Sequence, residues 1–153
     1  MDKHVDGGKA DTVRLLLVDD EYDLAEVTAL HLERRREAFD VTVVTDGPAA
    51  LDVLETETID CVISDYEMPG MDGLELLRAV TDRDPTLPFI LYTGRGSEEI
   101  ASEAISAGVT DYLQKRTTSD QYDVLANRVD NAVARRRSER AREESEGRYR
   151  TLV

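Results

Sequence analysis

Apolar positions along this chain fall into two alternating kinds of segment. Short apolar runs occur at Val13–Val18, 41–44, 61–63, 89–92 and 109–113. Their length, β-branched content and polar borders predict five strands, most of them buried on both faces. Between the runs, apolar residues recur at helical spacing. Leu24, Val27 and Leu30 mark a helix over 23–38, with Arg34-Arg35-Arg36 near its negative end. Pro48 opens a helix carrying Ala50, Leu51 and Leu54. Leu74, Leu77 and Ala79-Val80 mark a third, with Asp72 as its cap. A fourth covers about 97–107 and stops at Gly108, a residue suited to the left-handed helix end. The last begins near Ser119 and carries Tyr122, Leu125, Val129 and Ala132-Val133.

Strands and helices in strict alternation predict an α/β fold, a doubly wound and mostly parallel sheet with helices on both faces. Ligands of such sheets bind outside the carboxyl ends of the strands, at the switch in strand order. The polar residues just past those ends are Asp19-Asp20, Asp65, Thr93 and Lys115. Asp65 follows a buried run and precedes an irregular loop set by Pro69, Gly70 and Gly73. Its carboxylate is thereby held at a strand tip, facing the other loops.

Charge sharpens this picture. The formal net charge is −14, which disfavours nonspecific binding to DNA or to an anionic membrane. Residues 1–116 carry 26 acidic against 11 basic side chains, whereas 117–153 carry 7 against 8. Lysine occurs only as Lys3, Lys9 and Lys115. A carboxylate-rich, lysine-poor surface of this haloarchaeal kind suits a high-salt cytoplasm, where charge is screened over a few ångström. It also singles out Lys115. The lone Cys61 cannot pair within the chain and reads as a buried thiol. No apolar run has the length of a membrane span and the N-terminus lacks a signal-peptide core, so a cytoplasmic location is expected.

Three crowded carboxylates repel one another unless a cation offsets them. Oxygen ligands without His or thiolate point to a hard metal, and few carboxylates completed by water suit Mg²⁺. A metal, a lysine ammonium and a Thr hydroxyl around one carboxylate form a receptacle for a phosphoryl group. The free carboxylate can act as the nucleophile.

These ordered motifs, from about Val13 to Arg135, resemble the response-regulator receiver domain of two-component signalling. The resemblance implies a flavodoxin-like five-stranded sheet of order 2-1-3-4-5. It implies Asp65 as phosphoacceptor, Asp20 and Asp65 as direct Mg²⁺ ligands, Asp19 assisting through water, and the backbone carbonyl of Glu67 as a further ligand. Lys115 would meet the phosphoryl oxygens, and Thr93 and Tyr112 would be the switch residues. A sensor histidine kinase or phosphotransfer protein would be the donor, and the chain would be a regulatory phosphoacceptor rather than an enzyme.

Three positions depart from the family pattern. Arg116 follows Lys115 where relatives carry proline, and a cis peptide there would cost about 2.5–4 kcal/mol. Gly94 follows Thr93 and leaves room beside the site. Glu67 and Arg95 occupy the positions where a lid pair could form. Two other readings are an aspartyl-phosphate phosphatase or transferase, and a pseudo-receiver that binds without taking phosphate. The first wants an Asp where Glu67 stands and a cap-sized insertion; the second wants a missing acid or lysine. His31 has no partner at metal spacing and reads as surface, and Gly94-Arg95-Gly96 lacks the rest of a phosphate-loop motif.

Residues 1–12 read as a mobile arm, 13–135 as the receiver unit and 136–153 as a charged helical linker. The segment 135–144 has no apolar stripe and reads as a solvated helix laced with charge pairs, with no stop signal until Gly147. The last residues, 147–153, are similar to the entry of a PAS sensor domain, so a downstream domain in the same chain is expected, with a second copy as the other possible support. Interleaved Glu residues argue against nucleic-acid binding.

Overall fold

A computed structural model describes residues 11–152, with side chains through Glu146; most of the arm expected over 1–12 lies outside the described residues. In chain order the elements are β1 (Val13–Val18), α1 (Tyr22–Arg35), β2 (Phe39–Val44), α2 (Gly47–Thr56) and β3 (Cys61–Ser64). There follow α3 (Gly73–Arg83), β4 (Phe89–Thr93), α4 (Glu98–Ser106), β5 (Asp111–Gln114) and α5 (Gln121–Leu152). The five strands form one parallel sheet in the order β2-β1-β3-β4-β5. The strand order reverses between β1 and β3, which is where the expected site lies.

Alternation along the strands divides the core into two layers. Leu15, Leu17, Ile63, Ile90 and Tyr92 pack with α1 and α5 on one face. Leu16, Val18, Val62, Phe89 and Leu91 pack with α2, α3 and α4 on the other. Both faces are covered, which is why the strands read as apolar runs rather than alternating ones.

Helix ends follow local chemistry. Asp46 caps α2 by accepting from the Ala49 amide at 2.7 Å. Asp72 and Glu75 form a reciprocal capping box at the start of α3. Ser97 caps α4, and Gly108 ends it at φ +93°. The fifth strand starts at Asp111 rather than 109, because the Val109 amide donates to Ala104 at 3.0 Å and still belongs to the helix end.

Three expectations are corrected. The inward face of α1 is made by Ala25, Thr28, Ala29 and Leu32, while Leu24, Val27 and Leu30 are 55%, 44% and 47% exposed. Small residues let α1 lie close to the sheet, so the large ones point away. His31, read as surface, stacks on Tyr122 of α5 with ring centroids 4.2 Å apart. The run 135–144 is not solvated throughout: Arg136 is 8% exposed. It donates to the Ile59 carbonyl and to Asp84 on the domain, and Arg137 reaches the Thr12 carbonyl. The contacts of the domain thus continue past 135, and α5 runs on through Gly147 without a break. No cis peptide occurs among the described residues, Lys115–Arg116 included.

Candidate functional site

The strands of the switch region deliver their polar side chains to a common rim, Asp19 and Asp20 from β1, Asp65 from β3, Thr93 from β4 and Lys115 from β5. Ladder bonds carry the tips as far as the site: the Asp19 amide donates to Val44, the Asp65 amide to Val18 and the Lys115 amide to Thr93. Gly73 keeps the loop after Asp65 tight. Its amide donates to the Tyr66 carbonyl at 2.7 Å, and a Cβ there would stand 2.4 Å from the Asp65 carbonyl oxygen.

The Asp65 carboxylate is oriented from both sides. Its Oδ1 accepts from the amides of Tyr66 at 2.7 Å and Glu67 at 3.4 Å. Its Oδ2 accepts from Lys115 Nζ at 3.2 Å. The same ammonium donates to Asp19 Oδ2 at 2.8 Å, while Asp19 Oδ1 takes the Glu21 amide at 3.0 Å. Asp19 is buried and Asp20 exposed. Carboxylate oxygens of Asp19, Asp20 and Asp65 all lie within 4.8 Å of one another. Burial works to lower the Lys115 pKa, but the hydrogen bonds and charges of Asp19 and Asp65 outweigh it and hold the ammonium above its ordinary value.

A cleft of about 390 Å³ opens over these groups, lined by Asp20, Leu24, Asp65, Glu67, Thr93, Arg95 and Lys115 among others. Thr93 is fully buried, and its Oγ1 accepts from the Arg95 amide at 3.2 Å. Arg95 Nε stands 3.6 Å from Glu67 Oε2 across the mouth, the pairing that a lid would use. A Cβ at Gly94 would meet nothing within 4 Å, so the room expected beside Thr93 is there. Tyr112 lies in β5 with its hydroxyl buried and without a hydrogen-bond partner. Burial raises its pKa, and the backbone of Ser97 partly offsets that.

One neighbour of the site was not foreseen. Lys115 Nζ stands 5.6 Å from the centroid of the Tyr92 ring, and the Tyr92 hydroxyl donates to Gln121 Oε1 at 2.6 Å. The only sequence signal was a tyrosine placed inside a buried apolar run, next to Thr93.

The arrangement is a cluster of three carboxylates that could hold a cation, one of them with an oxygen touching an ammonium, open to solvent on one side. Comparison with known proteins agrees. The chain is 33% identical over 111 residues to the transcriptional regulatory protein FixJ of Bradyrhizobium diazoefficiens, covering 72% of this chain and 53% of FixJ. It is 37% identical over 116 residues to the C4-dicarboxylate transport transcriptional regulatory protein DctD of Rhizobium meliloti, covering 76% of this chain and 25% of DctD. A crystal structure of a CheY-like response regulator receiver domain protein from Methanospirillum hungatei JF-1 superposes with TM-score 0.76 at 25% identity. That match covers 84% of this chain and 98% of that one. The chain thus spans about half of FixJ and a quarter of DctD. A family model, the response regulator receiver domain, matches residues 15–127, a span that holds every residue of the rim. With sheet order, rim and family model in agreement, the chain belongs to the response-regulator receiver domains of two-component phosphorelay signalling.

Proposed function

We propose that Asp65 is the phosphoacceptor and that Lys115, Thr93 and Tyr112 hold and read the phosphoryl group. What supports this most is the Asp65 carboxylate itself: backbone amides fix one oxygen and Lys115 holds the other, beneath an open cleft. Attack by a carboxylate oxygen on a phosphohistidine forms the O–P bond as the P–N bond breaks, and the imidazole nitrogen keeps the electron pair. Lys115 would turn from the carboxylates to the phosphoryl oxygens, and the Thr93 hydroxyl would donate to one of them.

The donor set fits Mg²⁺: three carboxylates are clustered and one ammonium bridges two of them, so a divalent cation is accommodated without excess positive charge. Asp20 and Asp65 would bind it directly, Asp19 through water, and the Glu67 backbone carbonyl would add a ligand. Bound there, Mg²⁺ supplies charge neutralisation for the carboxylates and phosphoryl oxygens.

The donor would be a sensor histidine kinase or a phosphotransfer protein. Leu24, exposed and lining the cleft, offers that donor an apolar contact beside Asp65. Output would pass through α5, which continues past the domain toward a following domain, of PAS type by the likeness of its last residues, or toward a second copy. The charge balance fits a salt-rich cytoplasm and no direct role at nucleic acid. Among the described residues no helix is long and apolar enough to cross a membrane.

Incubation with acetyl phosphate and Mg²⁺ is expected to add one phosphoryl group per chain, detected by intact mass. Asp65→Asn is expected to abolish it. Equal labelling of Asp65→Asn would overturn the assignment.

A further inference from the structure

In the loop Gly94-Arg95-Gly96, Gly96 lies directly against Tyr112. A Cβ built on Gly96 would stand 1.7 Å from the Tyr112 hydroxyl oxygen, 2.9 Å from its Cζ and 3.4 Å from Gln114 Nε2. The first two distances are overlaps of hard atoms. The glycine is not needed for the backbone, because the positive-φ residues among those described are Gly70 and Gly108 alone. What Gly96 supplies is therefore space. Gly94, two residues earlier, supplies none that is used, since a Cβ there meets nothing.

The position that this space admits is a shallow one. The Tyr112 ring packs at the edge of the layer formed by Leu91 and Ala104, but its hydroxyl is buried with no hydrogen-bond partner. Such an unsatisfied group is unfavourable, so packing must outweigh it for the ring to stay. An alternative place is at hand: a neighbouring cleft of about 440 Å³, lined by Tyr112, Tyr92, Gln121 and Val124 among others. A second position, one side-chain rotation from the favoured one, is what a switch residue requires.

We propose that Gly96 is a positioning residue for the switch: by carrying no side chain it admits the Tyr112 ring beside the α4 loop and so sets the resting position of the tyrosine. The inference rests on the reading of Tyr112 as a switch residue. Any side chain at 96 turns the ring outward whether or not Asp65 carries a phosphoryl group.

The test is ¹³C NMR of ring-labelled tyrosine in the unphosphorylated chain, with the Tyr112 signal assigned by its loss in Tyr112→Leu. Gly96→Ala is expected to move that signal from a buried to a solvent-exposed environment. It is also expected to destabilise the wild-type background, and to have little effect in a Tyr112→Leu background, where the overlapping atoms are gone. A Tyr112 signal unmoved in folded Gly96→Ala overturns the proposal. So does an equal loss of stability in both backgrounds, which would place the strain in the loop backbone. If Gly96→Ala alone does not fold, folding of the double variant supports the proposal and its failure refutes it. None of these readings needs a phosphoryl group. Absence of acetyl-phosphate labelling in the wild-type chain would strike the phosphoacceptor assignment and leave the Tyr112 measurement standing.

Discussion

The two ends of the sheet both hold partly buried charge, and they treat it in opposite ways. At the amino end, Arg136 donates to Asp84 at 2.9 Å and to the Ile59 carbonyl at 3.3 Å. Arg140 stands 3.7 Å from the same Asp84, and Arg137 stands 3.6 Å from Asp60. Asp84 also accepts from the amide and hydroxyl of Thr86, and Asp60 from the Arg14 amide. Each acid there has a guanidinium and a further donor. At the carboxyl end, Asp19 and Asp65 share the single ammonium of Lys115, and the carboxylate of Asp20 is crowded beside them without it, beneath an open cleft. A matched cluster fastens a helix to a domain; an unmatched one leaves charge for something else to complete. Such local imbalance is what a binding or catalytic site tends to keep.

The sharpest way to break the comparison is to remove one partner at each end. Arg136→Ala takes away a side chain that is almost wholly buried and leaves Asp84 and the Ile59 carbonyl short of donors. A loss of about 1–3 kcal/mol in urea unfolding is expected, since the Ile59 carbonyl loses its donor and the buried arginine stem its packing, while Asp84 keeps Thr86 and Arg140. A loss below about 0.5 kcal/mol would mean that the amino end is no clamp. Asp20→Ala at the carboxyl end should do the reverse. It relieves repulsion among the acids, so stability in EDTA should hold or rise slightly, while Mg²⁺ affinity drops by roughly tenfold or more, about 1.4 kcal/mol or above. Titration of metal against the two proteins checks it. Unchanged Mg²⁺ affinity would remove Asp20 from the ligand set.

The carboxyl end was legible in the sequence and the amino end was not, for a physical reason. A buried strand announces itself as an apolar run, and the residue after the run must lie at its tip. Asp19, Asp20, Asp65, Thr93 and Lys115 were located in that way. The fastening at the other end is made by single residues of a charged run, and nothing in 135–144 distinguishes Arg136 from Arg135 or Arg137 until the Ile59 carbonyl and Asp84 are brought beside it. Helix α1 shows the same limit. Leu24, Val27 and Leu30 located it, yet its buried face is mostly small residues, which carry little hydrophobic signal. Tyr92 and Gly96 were missed because their contacts, to Lys115 and Tyr112, join residues on different strands or loops. Period gives the element; the partner across space decides the face and the role.

The smallest expected effect tests whether the amino end is electrostatic as well as tightly packed. Burial alone would raise the Asp84 pKa. Hydrogen bonds from Thr86 and the charges of Arg136 and Arg140 outweigh that and hold the carboxyl below its ordinary value of 3.8. The folded chain therefore binds this proton less readily than the unfolded chain. The stability due to Asp84 is complete above the unfolded value and is lost as pH falls through the lowered folded one. Asp84→Asn keeps the shape and removes the titration. Wild type should thus be the more stable protein near neutrality, and its advantage over Asp84→Asn should shrink once pH drops below about 4. The side chain is 36% exposed, so water and salt weaken the pairing, and the advantage should narrow further in concentrated salt. Two unfolding series, with acid and with salt as the variable, measure both trends. Curves for the two proteins that stay parallel through the acid range would show that Asp84 acts at this end by its hydrogen bonds and shape alone, with no contribution from its charge.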